Sequence, residues 1–175
     1  NAGQNTLEVF NAADQVTIAG QIIGSGTLRK SGAGTLALNV ANTYSGGTII
    51  SAGTISLGSV AGNQTGVGTG SVTFSNGTLS MINIQASETA AWPMIVPTNN
   101  TGRLNVDGRC TLTGSLTGSG TFTVWTPYVR TDFNGNWSAF TGQLNVITDN
   151  DGGDFRCNNS SARSDSRKNL AALTS

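Results

Sequence analysis

Two short segments of this 175-residue chain carry residue types that could bind a ligand. The first is the acidic sequence DNDGGD, whose carboxylates Asp149, Asp151 and Asp154 could hold calcium through oxygen ligands. It is not an EF-hand loop, because its glycines come early and no glutamate closes it. The alternative interpretation is a solvated turn, so calcium is the one cofactor that the sequence suggests.

The second segment is rich in aromatic residues and interrupts the glycine-rich sequence around it. Residues 125–140 hold five of the chain's eleven aromatic side chains. Aromatic rings can stack on sugars while charged neighbours bond to sugar hydroxyls, so this segment could be a loop that extends from one coil and binds carbohydrate. The alternative is that the rings pad the outside of the fold. The predicted carbohydrate-binding residues are Trp125, Tyr128, Arg130, Asp132 and Trp137.

Composition excludes several other functions. The chain has no histidine, so it has neither a Ser-His-Asp triad nor histidine metal ligands, and its other acidic residues are dispersed. We therefore predict no catalysis. The formal net charge is zero, which argues against nucleic-acid binding. No apolar run approaches the ~18 residues of a membrane span.

The elements that must position these segments are short strands. A phrase of glycine followed by alternating polar and aliphatic residues recurs along the chain, and this two-residue period is typical of half-buried strands. Its copies begin at Gly26, Gly34, Gly53, Gly70, Gly77, Gly102, Gly120 and Gly142. In addition, residues 16–28 align without gaps on residues 110–122, as expected for a stack of similar coils.

Three all-β architectures could use such strands. A sandwich should show Asn-Gly hairpin turns between clean alternating runs, and neither Asn-Gly pair lies in that position. A propeller should show a regular period of ~40–50 residues with an aromatic signature in each blade. A parallel β-helix needs only short strands, glycine at its corners and inward aliphatic residues, and it fits the pattern best.

The stretch from Ile22 to Gly58 resembles the passenger-associated transport repeat, also called the autotransporter-associated β-strand repeat. The resemblance lies in Gly-Ser-Gly-Thr-Leu at 24–28, Lys-Ser-Gly-Ala-Gly-Thr-Leu at 30–36 and Asn-Thr-Tyr-Ser-Gly-Gly-Thr at 42–48. It implies a right-handed, single-stranded parallel β-helix at a bacterial outer surface or outside the cell. No translocator barrel follows in this sequence, which leaves the export route open.

With coils of ~22 residues, we expect about eight coils. Residues 1–163 should form the solenoid, and residues 164–175 a C-terminal cap or a frayed tail. Because the ends of a solenoid expose unpaired backbone groups, we expect self-association through them. The expected role is a structural or adhesive passenger segment whose partner is a host or cell-surface glycan or protein. The alternatives are a carbohydrate-binding or carbohydrate-degrading β-helix and a stalk for an active domain elsewhere.

Specific placements follow from this architecture. Cys110 and Cys157 are either buried apolar residues or a disulfide, which requires Cα atoms within ~7 Å. Residues 42–47 should form a corner in which the Asn42 side chain bonds to backbone and a glycine has positive φ. Thr27, Thr35 and Thr54 should face outward. The residues expected in one elongated core are Leu28, Leu36, Leu38, Ile55, Leu57, Leu79, Leu104, Phe122 and Leu144.

Overall fold

The computed structural model describes residues 3–58, 63–81, 89–106, 110–127, 131–148 and 155–157, with backbone only for 63–64 and 155–157. Its strands form three sheets in which each strand pairs in parallel with its equivalent one coil away. One short 3₁₀ helix, Asn63–Val67, interrupts the strands. The described part of the chain is therefore a parallel β-solenoid, as the sequence predicts.

The three sheets form the faces of the solenoid. The six-stranded sheet contains β1 (Gln4–Glu8), β3 (Thr27–Ser31), β5 (Thr48–Ile50), β7 (Val72–Phe74), β10 (Met94–Val96) and β13 (Leu116–Gly118). The seven-stranded sheet contains β2 (Gln15–Ile18), β4 (Thr35–Leu38), β6 (Thr54–Leu57), β8 (Gly77–Met81), β11 (Thr101–Val106), β14 (Thr121–Thr126) and β16 (Gln143–Thr148). The four-stranded sheet contains β9 (Thr89–Ala90), β12 (Thr111–Leu112), β15 (Thr131–Phe133) and β17 (Phe155–Cys157).

The expected number of coils is slightly wrong. Paired residues in the seven-stranded sheet lie 19 to 25 positions apart, in agreement with the expected coil length. The described strands run only from Gln4 to Cys157, however, and make about six coils. The estimate of about eight divided the whole chain by one coil length and so counted residues that these strands do not include.

Side chains along each strand point alternately inward and outward, and the inward ones form a column that is the core. All the predicted core residues are buried in one cluster, from Leu28 to Leu144. Thr27, Thr35 and Thr54 face outward and are partly exposed. Each inward residue stacks on its partner in the next coil, for example Leu36 on Ile55, so apolar burial and the backbone ladder stabilise the same contact.

The N-terminal coil differs from the others because β1 and β2 are edge strands in the described part of the chain. Val16 pairs with the buried Leu36 and has the same inward orientation, yet 47% of it is exposed. Phe10 and Ile23, in the turns of this coil, are 77% and 71% exposed. This end of the solenoid therefore presents apolar side chains beside unpaired strand edges.

The corner at residues 42–47 forms as predicted. The buried Asn42 side chain accepts a hydrogen bond from the backbone N–H of Ile22 at 2.7 Å and donates one to the carbonyl of Gly66 at 2.6 Å. It thus joins three coils. The glycine with positive φ is Gly47, at 86°. Gly46 is required for space, because a Cβ there would lie 2.5 Å from the backbone carbon of Gly26.

Candidate functional site

The predicted carbohydrate-binding residues do not form one platform. Trp125 lies on the outer face of the seven-stranded sheet, whereas Asp132 lies on the four-stranded sheet. The side chain of Trp137 is buried, with only 5% exposed. Tyr128 and Arg130 lie outside the described residues. Of the three aromatic and acidic residues of the set that the structure describes, Trp125 is the one whose ring lies on an outer face where a ligand could stack.

The expectation of a protruding loop at residues 125–140 is wrong for a packing reason. Its described part contains β15, which pairs with strands of the neighbouring coils. Phe133, Trp137 and Phe140 are buried in the core, where the ring of Trp137 lies 5.0 Å from that of Phe133 and 6.4 Å from that of Phe122, centroid to centroid. The indole Nε1 of Trp137 donates to the carbonyl of Gly114 at 3.1 Å, so its polar group is also satisfied inside.

The other two predicted sites have different outcomes. Asp149, Asp151 and Asp154 lie outside the described residues. Cys110 is buried just before β12, whereas Cys157 ends β17, and β15 lies between those strands. Two strand spacings amount to ~9.6 Å. Because a disulfide requires Cα atoms within ~7 Å, this register does not support a Cys110–Cys157 bridge.

Lys30 lies in the segment from Ile22 to Gly58 that resembles the transport repeat, and its side chain is fully buried rather than solvated. Its ammonium group donates to the carbonyls of Ser31 and Gly32, both at 2.7 Å, and to that of Ala52 at 3.2 Å. These bonds tie the corner after β3 to the corner of the next coil. Burial lowers the pKa of Lys30 below its usual range, and Glu8 opposes this shift. The lysine is a structural clamp.

Tyr44 and Thr48 form a second buried polar group in the same segment. The Thr48 hydroxyl donates to the carbonyl of Val67 at 2.7 Å, so its oxygen accepts from the Tyr44 hydroxyl at 2.5 Å. Burial raises the pKa of Tyr44 to about 12. Together with Asn42 and Lys30, these residues satisfy backbone groups between coils, and none is presented to a ligand.

Outward residues of the seven-stranded sheet stack in two columns, whose members the strand register fixes. The first outer column is Gln15, Thr35, Thr54, Thr78, Arg103, Thr123 and Asn145. The second outer column is Thr17, Ala37, Ser56, Ser80, Asn105, Trp125 and Ile147. The second outer column changes from small side chains in the earlier coils to larger ones in the last three. The first outer column gains Arg103 and Asn145 in the last three coils but keeps Thr123 between them.

The change centres on a contact between Arg103 and Trp125. The guanidinium carbon of Arg103 lies 5.4 Å from the centroid of the Trp125 ring, which is cation–π geometry. The Nε of Arg103 also donates to the side-chain oxygen of Asn105 at 2.7 Å. Two coils after Arg103, on β16, the side chain of Gln143 donates to the side-chain oxygen of Asn145 at 3.2 Å. An aromatic ring, a cation and several amides thus lie side by side on three coils.

A polar groove adjoins this cluster at the start of the same strands. It has a volume of about 570 Å³. Its lining residues are Asn99, Asn100, Thr101, Ser119, Gly120, Thr121, Thr141, Gly142 and Gln143. Because three of them begin β11, β14 and β16, the groove and the cluster share one surface. We call it the Trp125 face, formed by outward residues Thr101, Arg103, Asn105, Thr121, Thr123, Trp125, Gln143, Asn145 and Ile147.

Sequence reasoning identified Trp125 but missed the rest of this face. Arg103, Asn105, Gln143 and Asn145 occupy the variable polar positions of the glycine phrases, where alternation predicts only an outward direction. The residue of one phrase that lies beside a given residue of the next is set by the length of the turns between them. These lengths vary from coil to coil, so the pairing could not be predicted from one phrase. A usable signal was present in the sequence, since the phrases that begin at Gly102 and Gly142 carry arginine and amides at outward positions where earlier phrases carry threonine and serine.

The comparisons with known proteins find similarity in about a third of this chain. Residues 28–57 match the family model described as the passenger-associated-transport-repeat. The adhesin BmaC autotransporter of Brucella suis biovar 1 (strain 1330) is 46% identical over 57 residues, which is 33% of this chain. The chain spans 2% of the length of that relative. No solved structure matches.

The described strands form a parallel β-solenoid, and the family match lies within it, at residues 28–57. This chain carries the autotransporter passenger repeat, and the resemblance inferred from its sequence is confirmed. Such passengers imply an extracellular location or one on the bacterial outer surface. In the described part of the chain, no helix has the length and apolar character needed to cross a membrane.

Proposed function

We propose that this chain is a structural and adhesive segment of a passenger, without catalysis of its own, and that the Trp125 face contacts its surface partner. One observation carries the proposal: within one regular sheet, the second outer column changes from threonine, alanine and serine to Asn105, Trp125 and Ile147, and Arg103 of the first outer column contacts Trp125. Aromatic and arginine side chains are the residues most enriched in recognition surfaces. The name of the relative, an adhesin, supports the same role.

Binding of the labelled chain to host cells, measured by flow cytometry, tests this proposal. Trp125→Ala should reduce binding about fivefold or more, since aromatic anchors dominate binding energy. Ser56→Ala, in the same outer column two coils before Asn105, is the matched control and should bind like wild type. Equal binding by both variants would contradict the assigned face. Absence of binding by the wild-type chain would favour the stalk alternative.

The expected self-association stays a proposal, and the N-terminal coil supports it. Exposed Phe10, Val16 and Ile23 lie at this end with the open edges of β1 and β2, and a recess of about 280 Å³ lies nearby between Leu7, Ile18 and Leu28. Sedimentation velocity over a range of concentrations should show reversible association that Val16→Lys weakens, because a charge would enter the contact. A concentration-independent monomer would contradict it.

A further inference from the structure

We propose that the ligand of the Trp125 face is an anionic saccharide, whose ring stacks on Trp125 while its carboxylate or sulfate pairs with Arg103. This inference rests on the proposed adhesive function and names the chemical class of its partner. It moves the sugar-binding role from the predicted loop to the outer face of the seven-stranded sheet. Four features of that face carry the argument.

The first feature is charge. Arg103 is the single charged residue among the outward residues of the Trp125 face. In the described part of the chain, its side chain is hydrogen-bonded to Asn105 and lies against the ring of Trp125. It forms no ion pair with a carboxylate there. An approaching carboxylate or sulfate would therefore meet a guanidinium without like-charge repulsion. Guanidinium and oxyanion form the short, charge-assisted hydrogen bonds that fix ligand orientation.

The second feature is preorganisation. An exposed arginine normally loses rotamer freedom when it binds, and this loss weakens affinity. Here Asn105 holds the Nε of Arg103, and Trp125 lies against the guanidinium, so the side chain is already partly ordered. The backbone ladder fixes Asn105 directly beside Trp125 on the neighbouring strand. The cation and the aromatic ring are thus presented as one rigid unit.

The third feature is the polar groove. Its amide and hydroxyl side chains are both donors and acceptors, as are the hydroxyls of a saccharide. From Thr121 at its edge to Trp125, four residues of extended strand span ~13 Å. The face is therefore long enough for a chain of several sugar units, with the anionic unit at the Arg103 end and neutral units in the groove.

The fourth feature separates a saccharide from a protein partner. Protein interfaces have an apolar centre with a polar rim. On the Trp125 face the apolar residues are Trp125 and Ile147, and the remaining outward positions carry hydroxyls, amides and one cation. A single aromatic ring surrounded by hydrogen-bonding groups matches a sugar ring better than it matches an apolar protein patch.

Calorimetric titration of the full chain with three oligosaccharide probes tests the inference. The probes are an unsulfated uronate oligosaccharide, a sulfated oligosaccharide and a neutral glucose oligomer of similar length. At least one anionic probe should bind, and the neutral one about tenfold more weakly, because it lacks the charge-assisted contact. Comparison of the two anionic probes distinguishes carboxylate from sulfate. Equal affinity for all three, or no binding, would overturn the inference.

Variants assign the binding to this face. Arg103→Gln should weaken the anionic probe about tenfold and the neutral probe much less, whereas Trp125→Ala should weaken both. Ser56→Ala is the matched control and should have no effect. If either Arg103→Gln or Trp125→Ala bound the anionic probe as wild type does, the site would be wrong. If cell binding persists after the cells' glycans are removed, the adhesive function stands and the assignment of a saccharide ligand is overturned. If the chain binds the saccharide but not cells, the ligand assignment stands and the adhesive function is overturned.

Discussion

The repeat-like coils at residues 28–57 and the later coils at residues 101–148 have the same parallel register but different side-chain chemistry. Inside the repeat-like coils, Lys30, Asn42 and Tyr44 are buried and bonded to neighbouring corners or side chains. Inside the later coils, aromatic rings replace such groups, with the ring of Phe122 5.1 Å from that of Phe74, which lies two coils earlier. Two different kinds of interaction therefore stabilise one ladder.

On the outer faces, the larger and more varied side chains belong to the later coils. In the repeat-like coils the outward positions of the seven-stranded sheet are small residues such as Thr35 and Ser56. In the later coils the equivalent positions carry Arg103 and Trp125. The comparison shows that the repeat places its distinctive chemistry inside, where it holds coils together, while the later coils place theirs outside, where a ligand can reach it.

The largest effect should come from the aromatic interior of the later coils. Phe122→Ala removes a fully buried ring that contacts Phe74 and Trp137. We expect a loss of about 3–5 kcal/mol in the free energy of unfolding, measured by urea denaturation. Thr123→Ala, the adjacent outward residue, is the control and should change it by at most ~0.5 kcal/mol. Similar effects for both would contradict the inward and outward assignment.

The Lys30 clamp should give the next largest effect. Lys30→Met retains the length of the side chain but leaves the carbonyls of Gly32 and Ala52 without this donor. Leaving buried carbonyls unpaired should lower the free energy of unfolding by about 2 kcal/mol. Arg29→Met, at the neighbouring outward position, is the control. If the two variants melted alike, the repeat-like coils would not depend on buried polar contacts.

A corner substitution tests how tightly these coils stack. Gly46→Val would place a Cβ 2.5 Å from the backbone carbon of Gly26 and 2.6 Å from the carbonyl oxygen of Ser25. Because backbone cannot move as a side chain can, we expect about 1–3 kcal/mol of destabilisation in thermal melting. Gly20→Val, where nothing lies within 4 Å of the added Cβ, is the matched control. A Gly46→Val chain that melts like the control would refute close contact at this corner.

The smallest effect should come from Tyr44, and it depends on pH. Tyr44→Phe removes the hydrogen bond to Thr48 and should lower stability by about 1 kcal/mol at neutral pH. Burial raises the pKa of Tyr44 from 10.0 to about 12, so the unfolded chain loses this proton first. Stability supplied by the neutral phenol is full below pH 10 and is lost as pH rises towards 12. Denaturation of both chains from pH 9 to 12 should therefore show a steeper loss for wild type, and equal slopes would contradict the shift.

Alternation and glycine spacing were enough to predict the architecture and the core. Leu36, Ile55 and Leu79 alternate with polar residues, and a stack of parallel coils buries all three in one column. Burial of Lys30 was not predictable from its type, because lysine is buried only where several acceptors converge. Here those acceptors come from the corners of two successive coils, and the acceptor Ala52 lies 22 residues after Lys30.

The candidate site was predicted less well because the aromatic segment combines two environments. Trp125 and Trp137 both lie between the first residues of the glycine phrases that begin at Gly120 and Gly142. Trp125 nevertheless faces outward, whereas Trp137 lies in the core. Composition cannot separate them, since the outcome depends on where β14 ends and β15 begins. Arg103 reaches Trp125 only through the pairing of β11 with β14, a register that no local motif specifies.

The central claim is that stability and recognition belong to different parts of this solenoid. Its most direct test is to measure host-cell binding and melting temperature on one preparation of the Trp125→Ala chain. The account predicts strongly reduced binding with a melting temperature close to that of wild type, because Trp125 lies on the outer face. Unchanged binding would contradict the claim, and so would a loss of binding accompanied by a large fall in melting temperature.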